Sequence, residues 1–179
     1  MERNPYFRSI PELTERFWDM FVIDAFISNN ARNEGNWGLV LNKETNELRL
    51  SPIFDNGAAF YNKSNDDKLI SIYEDDFKFR QFVYESSVSV YRLKGKRINP
   101  LKYIESMCNN ECNKAIVRMI PKINMDKITC IFNELPEEYN GLSVLSKIQK
   151  LYYLKSLKYK YDNVLIPVYN KILELNNKK

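Results

Sequence analysis

Residues 17–42, "FWDMFVIDAFISNNARNEGNWGLVLN", decide the fold. An apolar run ends at Ile27, a loop dense in asparagine and glycine, "NNARNEGNWG", fills 29–38, and a strand-like "LVL" follows at once. Ahead of the loop, apolar residues from Leu13 to Ile27 lie almost all round a helical repeat, the pattern of a buried helix rather than a surface one. Ser9 followed three residues later by Glu12 fits a capping box at its start. Asp24 falls inside this apolar run, where an unpaired charge is costly, so it is expected to find a hydrogen-bonding partner in the following loop and to brace it.

Downstream, "WGLVLNKETNELRLSPIF" predicts two short strands around a polar turn at Lys43 to Asn46, a β-hairpin whose second strand runs into "FDNGAAF". Gly57 is expected to supply the backbone bend there. A hairpin brings its outer ends together, so the asparagine loop and Asp55 are predicted to meet. From Asp66 onward "DDFKFRQFVYES", "NPLKYIESMC", "NECNKAIVRMI" and "NMDKITCIFNEL" show helical spacing with polar starts, and "VSVYRLKGKRIN" is irregular or briefly extended. A long final helix is expected from about Leu142, bent at Pro167. The fold class is mainly α (α+β): one helical domain over residues 1–179 with one short hairpin carrying the polar loops.

Composition sets limits. At 179 residues and 44% hydrophobic the chain can bury one sizeable core, and 13% aromatic content argues against disorder. Cys108, Cys112 and Cys130 are odd in number and there is no histidine, which removes the usual zinc ligand sets and leaves buried, reduced thiols as the reading. No stretch approaches the roughly 20 apolar residues of a membrane span, and the N-terminus lacks an apolar core of signal length, so a cytoplasmic protein without a membrane partner is expected. Net charge is a mild +4. One run, "KIQKLYYLKSLKYKY" from Lys147 to Tyr161, holds five lysines and four tyrosines without an acid. A solvated amphipathic helix is the favoured reading, and an anionic or nucleic-acid partner the alternative.

The loop carries the chemistry. An acid at position 31 would stand five residues before Asn36, the D-x-x-x-x-N spacing of a protein-kinase catalytic loop, in which Asp takes the substrate hydroxyl proton and Asn holds magnesium. After the hairpin, "DNG" is an Asp-x-Gly whose carboxylate suits the second magnesium position. Magnesium prefers oxygen ligands, and one Asn carbonyl with one carboxylate leaves room for phosphate oxygens. Holding a shared or an adjacent ion would place the side-chain oxygens of Asn36 and Asp55 roughly 4 to 6 Å apart.

These stretches resemble the C-terminal lobe of HipA-like and CtkA-like bacterial serine/threonine kinases, whose loop reads roughly N-x-D-R-[HN]-x-x-N-W-G. Asn29, Arg32, Asn33, Asn36, Trp37 and Gly38 match it, and Asp55 matches the family's metal-binding acid. "ESSVSVYRLKGKRINPLKYI" and "YDNVLIPVYNKIL" also look like this family. The resemblance implies Mg2+ and ATP as cofactors, held by Asn36 and Asp55, a protein substrate, and Arg32 and Asn33 in the catalytic loop.

Two departures qualify it. Ala31 stands where the family has its catalytic aspartate, and a methyl group neither accepts a proton nor orients a hydroxyl, so the chain as written is expected to be inactive. The family's ATP-gripping lobe should precede the loop, yet only about thirty residues do so here, and none of the five glycines forms a G-x-G-x-x-G. The expected partner is therefore a separate nucleotide-binding lobe or a regulatory chain, docked on an apolar surface edged by Phe7, Phe17 and Trp18. Nucleic acid is not the expected partner. The competing readings are a pseudokinase or interaction module, with Ser86 and Ser87 as exposed phosphoacceptors, and an anion-binding helical domain using the lysine-rich helix. A toxin, effector or regulatory role is left open.

Overall fold

The computed structural model describes residues 10–178. Ser9 and Phe7 lie outside them, and with them the proposed capping box and one edge of the expected docking surface. Helix α1 (Pro11–Ile27) begins with Ile10 at the N-cap and a proline in the first turn, where a missing N–H is harmless. It ends at Ser28, which takes the left-handed conformation. Strands β1 (Leu39–Leu41) and β2 (Leu48–Leu50) form the predicted antiparallel hairpin, pairing Leu39 with Leu50 and Leu41 with Leu48.

Six further helices follow in the described residues before the chain's last one. They are α2 (Asp66–Tyr73), α3 (Asp76–Arg80), α4 (Pro100–Ser106), α5 (Asn110–Met119), α6 (Met125–Glu134) and α7 (Lys147–Lys160), with α8 (Ile166–Asn177) closing the order. Asn65, Asp75, Asn99, Asn109 and Asn124 each cap the helix after them by accepting from a first-turn N–H, which is why the polar starts were legible in the sequence. Two more hairpins separate the helices: β3 (Arg92–Leu93) with β4 (Lys96–Arg97), and β5 (Glu138–Tyr139) with β6 (Leu142–Ser143). The molecule is thus mostly helical with short antiparallel hairpins, three among the described residues rather than one.

The main core forms where α1 lies against α4, α5 and the end of the chain. Phe21, Val22 and Phe26 pack with Leu101, Ile116 and Leu165, all buried. A second cluster gathers Leu69, Ile72, Phe79 and Val83 around Tyr152 and Tyr153. Helix α7 joins the two, since its Leu157 lies in the first cluster and its tyrosines in the second.

Several expectations are corrected. The final helix starts at Lys147, not Leu142: Asn140 and Gly141 both have positive φ and close the β5–β6 hairpin, while Ser146 and Gln149 form the capping box. Pro167 does interrupt the helical ladder, as a π-helical turn over Tyr161–Leu165 immediately before α8. The lysines of α7 are a solvated face only in part: Lys147 and Lys158 are exposed, whereas Lys150, Lys155 and Lys160 are turned to partners in the fold. Lys155 donates to Asp76 at 2.8 Å and sits over the Phe79 ring, Lys158 pairs with Asp162, and Lys150 reaches the Leu135 carbonyl. Lys160 is fully buried and donates to the Ser28 hydroxyl at 2.6 Å. Cys112 is buried, but Cys108 and Cys130 are exposed. No helix of the described residues is long and apolar enough to cross a membrane.

Burial without a carboxylate partner lowers the Lys160 ammonium to about 7. An unfolded lysine titrates near 10.4, so between those values the unfolded chain binds more protons and stability rises with pH. The penalty is complete below about 7 and vanishes near 10.4. Lys160→Met is therefore expected to stabilise the protein most at pH 6 to 7, by on the order of a few kcal/mol, less the lost Ser28 hydrogen bond. Urea midpoints measured from pH 6 to 10 should converge for the two proteins as pH rises.

Candidate active site

The loop after α1 is organised by Arg32, whose side chain is 1% exposed. Its Nε and Nη2 donate to the two Asp24 carboxylate oxygens, both at 2.9 Å, in a two-pronged pair. Nη1 donates to the carbonyl of Asn36 at 3.2 Å and also to that of Phe54, while Nη2 reaches the Asn56 side-chain oxygen. One guanidinium thus ties the helix, the loop and the far end of the hairpin. Of the two roles open to Arg32 in the sequence, pairing with a carboxylate is the one adopted, and its donors are turned inward rather than toward a phosphate. Burial pushes the Asp24 carboxyl up, against the opposing pull of Arg32 and Asn29, and the same pair holds Arg32 firmly cationic.

Asn29 is buried and donates to Asp24, so the expected brace is present from both residues. The exposed Asn33 caps a 3-10 turn (Glu34–Asn36) by accepting from Gly35 N–H, and its own N–H donates to Asn36 Oδ1 at 3.1 Å. Asn36 is buried and its Nδ2 donates to Asp55. The two residues predicted to meet are in direct hydrogen-bond contact, through the Asn36 NH2 rather than its carbonyl. A cation would take the Asn36 carbonyl rather than its NH2, so the amide would turn over and release Asn33 N–H. With that turn the pair presents two hard oxygen donors at one place, a set that fits magnesium. No cluster of three or more His, Cys, Asp or Glu suited to a metal occurs among the described residues, so phosphate oxygens and water would complete the shell.

Ala31 is exposed beside this pair in sequence; its backbone N–H donates to Asn29 Oδ1 and its carbonyl accepts from Asn33 Nδ2. Trp37 packs near Phe17, and Gly38 pairs with Ser51 across the base of the hairpin. The chain turns at Gly57 as expected, with Ala59 N–H donating to the Asn56 carbonyl, but the positive φ after the hairpin falls on Asp55, at 55°. Phe60 and Tyr61 also take positive φ, which is unfavourable by about 1 to 2 kcal/mol per residue and is held here by packing. Phe60 rests on Phe132 and Tyr153, and Tyr61 on Phe82. Burial pushes the Tyr61 hydroxyl's pKa up, opposed by the neighbouring Ser87 and Ser28 hydroxyls that it faces. Ser87 is consequently buried, and of the two serines expected at the surface only Ser86 is exposed.

The apolar surface does not lie where it was expected. Phe17 is buried and Trp18 half-buried, stacked on Tyr103. Exposed large apolar side chains occur instead on the hairpin and beside Asp55: Val40, Leu41, Leu48 and Phe54. Asn56 and the Phe54 carbonyl, as partners of Arg32, had no separate signal in the sequence beyond their place next to Asp55.

No family model matches the chain. Among curated proteins it is similar to the serine/threonine-protein kinase CtkA of Helicobacter pylori, 27% identical over 161 residues, 89% of this chain and 47% of the relative. Among solved structures it is similar to the crystal structure of a Helicobacter pylori proinflammatory kinase CtkA, with a TM-score of 0.83 and 27% identity, covering 92% of this chain and 57% of that one. The chain therefore spans about half the length of the relative it matches. It is homologous to this kinase, and its architecture is kinase C-lobe-like.

Removing the guanidinium leaves Asp24 buried and unpaired. Arg32→Ala is expected to destabilise by about 3 to 5 kcal/mol. Asp19→Ala, at a more exposed pair with Arg118, should stay below about 1 kcal/mol. Arg32→Lys should remain well below wild type because an ammonium cannot span the fork. Urea denaturation of the three variants measures the order.

Proposed function

We propose that this chain is the C-terminal catalytic lobe of a serine/threonine protein kinase, with its base position vacated by Ala31. The observation that carries the proposal is the contact of Asn36 with Asp55 across the hairpin, held from behind by Arg32. Asn36 and Asp55 would hold Mg2+ on the phosphates of ATP, where the ion neutralises charge on the phosphate oxygens. Arg32 acts as a positioning residue: it fixes the carbonyls of Asn36, Phe54 and Asp55, which keeps the backbone under both side chains in place. Asn33 keeps the loop's 3-10 turn in shape. At position 31 there is no group to take a proton from a serine or threonine hydroxyl, so the lobe as written lacks general-base catalysis.

The grip on ATP is proposed to come from a nucleotide-binding lobe, carried by a separate chain or by further residues of a longer one. It would cover the hairpin that leads from Asn36 to Asp55, whose Val40, Leu41 and Leu48 are exposed. A second reading, a pseudokinase or protein-interaction module, is favoured by one observation, the exposed methyl of Ala31. The reading as an anion-binding or nucleic-acid-binding domain has little support, because Lys150, Lys155, Lys158 and Lys160 all have partners within the chain.

Alone, the chain should bind Mg-ATP weakly or not at all by calorimetric titration, and micromolar affinity would contradict the need for a second lobe. Ala31→Asp should restore phosphoryl transfer to serine or threonine once such a lobe is supplied, by about 10² to 10⁴-fold over Ala31. Structure should barely change, since position 31 is exposed. Radiolabelled transfer from ATP compares the chain as written, Ala31→Asp, and that variant with Asp55→Ala added, which should return to background. No gain from the aspartate while ATP and magnesium bind would favour the pseudokinase reading.

A further inference from the structure

Most of the positive charge that the sequence advertised on α7 has partners within the chain, but another basic element does not. The β3–β4 ribbon carries Arg92, Lys94, Lys96 and Arg97, all exposed, and none of them makes an ion pair among the described residues. No acid occurs between Glu85 and Glu105. The ribbon also breaks two local rules. Arg92 and Arg97 are direct cross-strand partners, an arrangement in which like charges repel. Lys94 sits in the turn at φ 49°, a conformation unfavourable for a lysine, with Gly95 beside it at φ 80°. Arg92 answers only with a bond to the Gly95 carbonyl. By contrast, the β5–β6 turn has asparagine and glycine in the same two places. Local rules broken without gain inside the chain are expected where a surface serves a partner.

The ribbon's root lies at the candidate site. Tyr91, the residue before β3, packs its ring on Phe17 and Phe21, and Phe17 packs near Trp37 of the loop. Tyr91 and Ser89 line one small cavity together with Asp24, Ser28 and Asn29. Ser89 and Tyr91 in turn exchange backbone bonds with Ile98, which extends the ladder from the loop out to the cations.

We infer that the β3–β4 ribbon is a docking element for an acidic segment of a protein, the one that presents its hydroxyl to the loop around Ala31. Charge complementarity argues for the acidic partner, since four unpaired cations on a two-stranded ribbon recruit carboxylates. A protein is favoured over single-stranded nucleic acid because no aromatic side chain stands among the exposed ribbon residues to stack a base. The acceptor role rests on the kinase reading, whereas the docking does not.

The test uses the 179-residue chain and a fluorescein-labelled peptide of Glu-Asp repeats around a central Ser, read by anisotropy without ATP. Binding should weaken as salt rises, and a Gln-Asn peptide of the same length should bind at least about tenfold more weakly. The combined variant Arg92→Gln, Lys94→Gln, Lys96→Gln, Arg97→Gln should lose about tenfold or more in affinity for the acidic peptide. Its thermal midpoint should be unchanged or higher, because the facing arginines no longer repel. Equal binding of the two peptides, full binding by the variant, or tighter binding of an oligodeoxythymidine or of phosphatidylserine vesicles than of the acidic peptide would each overturn the proposal. In the reconstituted Ala31→Asp assay the acidic peptide should be phosphorylated in preference to a Lys-Arg counterpart. Docking without any transfer would count against the kinase reading alone, and transfer indifferent to ribbon charge would overturn the acceptor role.

Discussion

The buried ion pair between Asp24 and Arg32 is the constraint on which the rest of the site depends. A carboxylate in the last turns of an apolar helix is tolerable only if it is fully hydrogen-bonded, and Asp24 receives two bonds from Arg32 and one from Asn29. The remaining donors of the same guanidinium fix the carbonyls of Asn36 and Phe54 and the side chain of Asn56. The helix, the asparagine loop and the chain after the hairpin are therefore locked by one planar group. Such a pair adds less to net stability than to geometry, because desolvation offsets much of its attraction. Its effect is to leave the Asn36 and Asp55 side chains few ways to point.

Around that pair the fold supplies rigidity from two sides. From behind, Lys160 of the last long helices reaches Ser28 at the start of the loop, and Tyr61 faces Ser28 and Ser87. From below, the unfavourable backbone of Phe60 and Tyr61 is held by the rings of Phe132, Tyr153 and Phe82. Strain next to Asp55 is thus balanced by packing in the second core, which links the chemistry of the loop to the tyrosines of α7. The surfaces left over have distinct characters. The first hairpin is apolar, as suits a covering lobe, and the β3–β4 ribbon is basic, as suits an acidic chain.

Homology to a serine/threonine kinase over half that protein's length gives the frame in which these parts make sense together. Within that frame Ala31 has a defined meaning. On the proposed reading, the residues that would position a phosphate-bound ion are kept, Asn36, Asp55 and the brace behind them, and the group replaced by Ala31 is the one that would take the proton.

Much of this was determined by the sequence alone. The apolar run of α1, the capping asparagines, the hairpin with its polar turn, and the pairing of the loop with Asp55 follow from periodicity and turn chemistry, which act over a few residues. Even the partner of Asp24 was anticipated, since a buried charge must find one nearby. What only tertiary structure decided were the destinations of long side chains and the choice between equivalent local signals. The α7 lysines look solvated along a helix, yet Lys160 turns into the core because α1 ends beneath it. Phe17 looks like a surface anchor, yet Trp37 and Tyr91 close over it. The unusual φ after the hairpin fell on Asp55 rather than on the available Gly57, because Arg32 pulls on the carbonyls around it. Each of these depends on residues far apart in the chain, and no local pattern carries that distance.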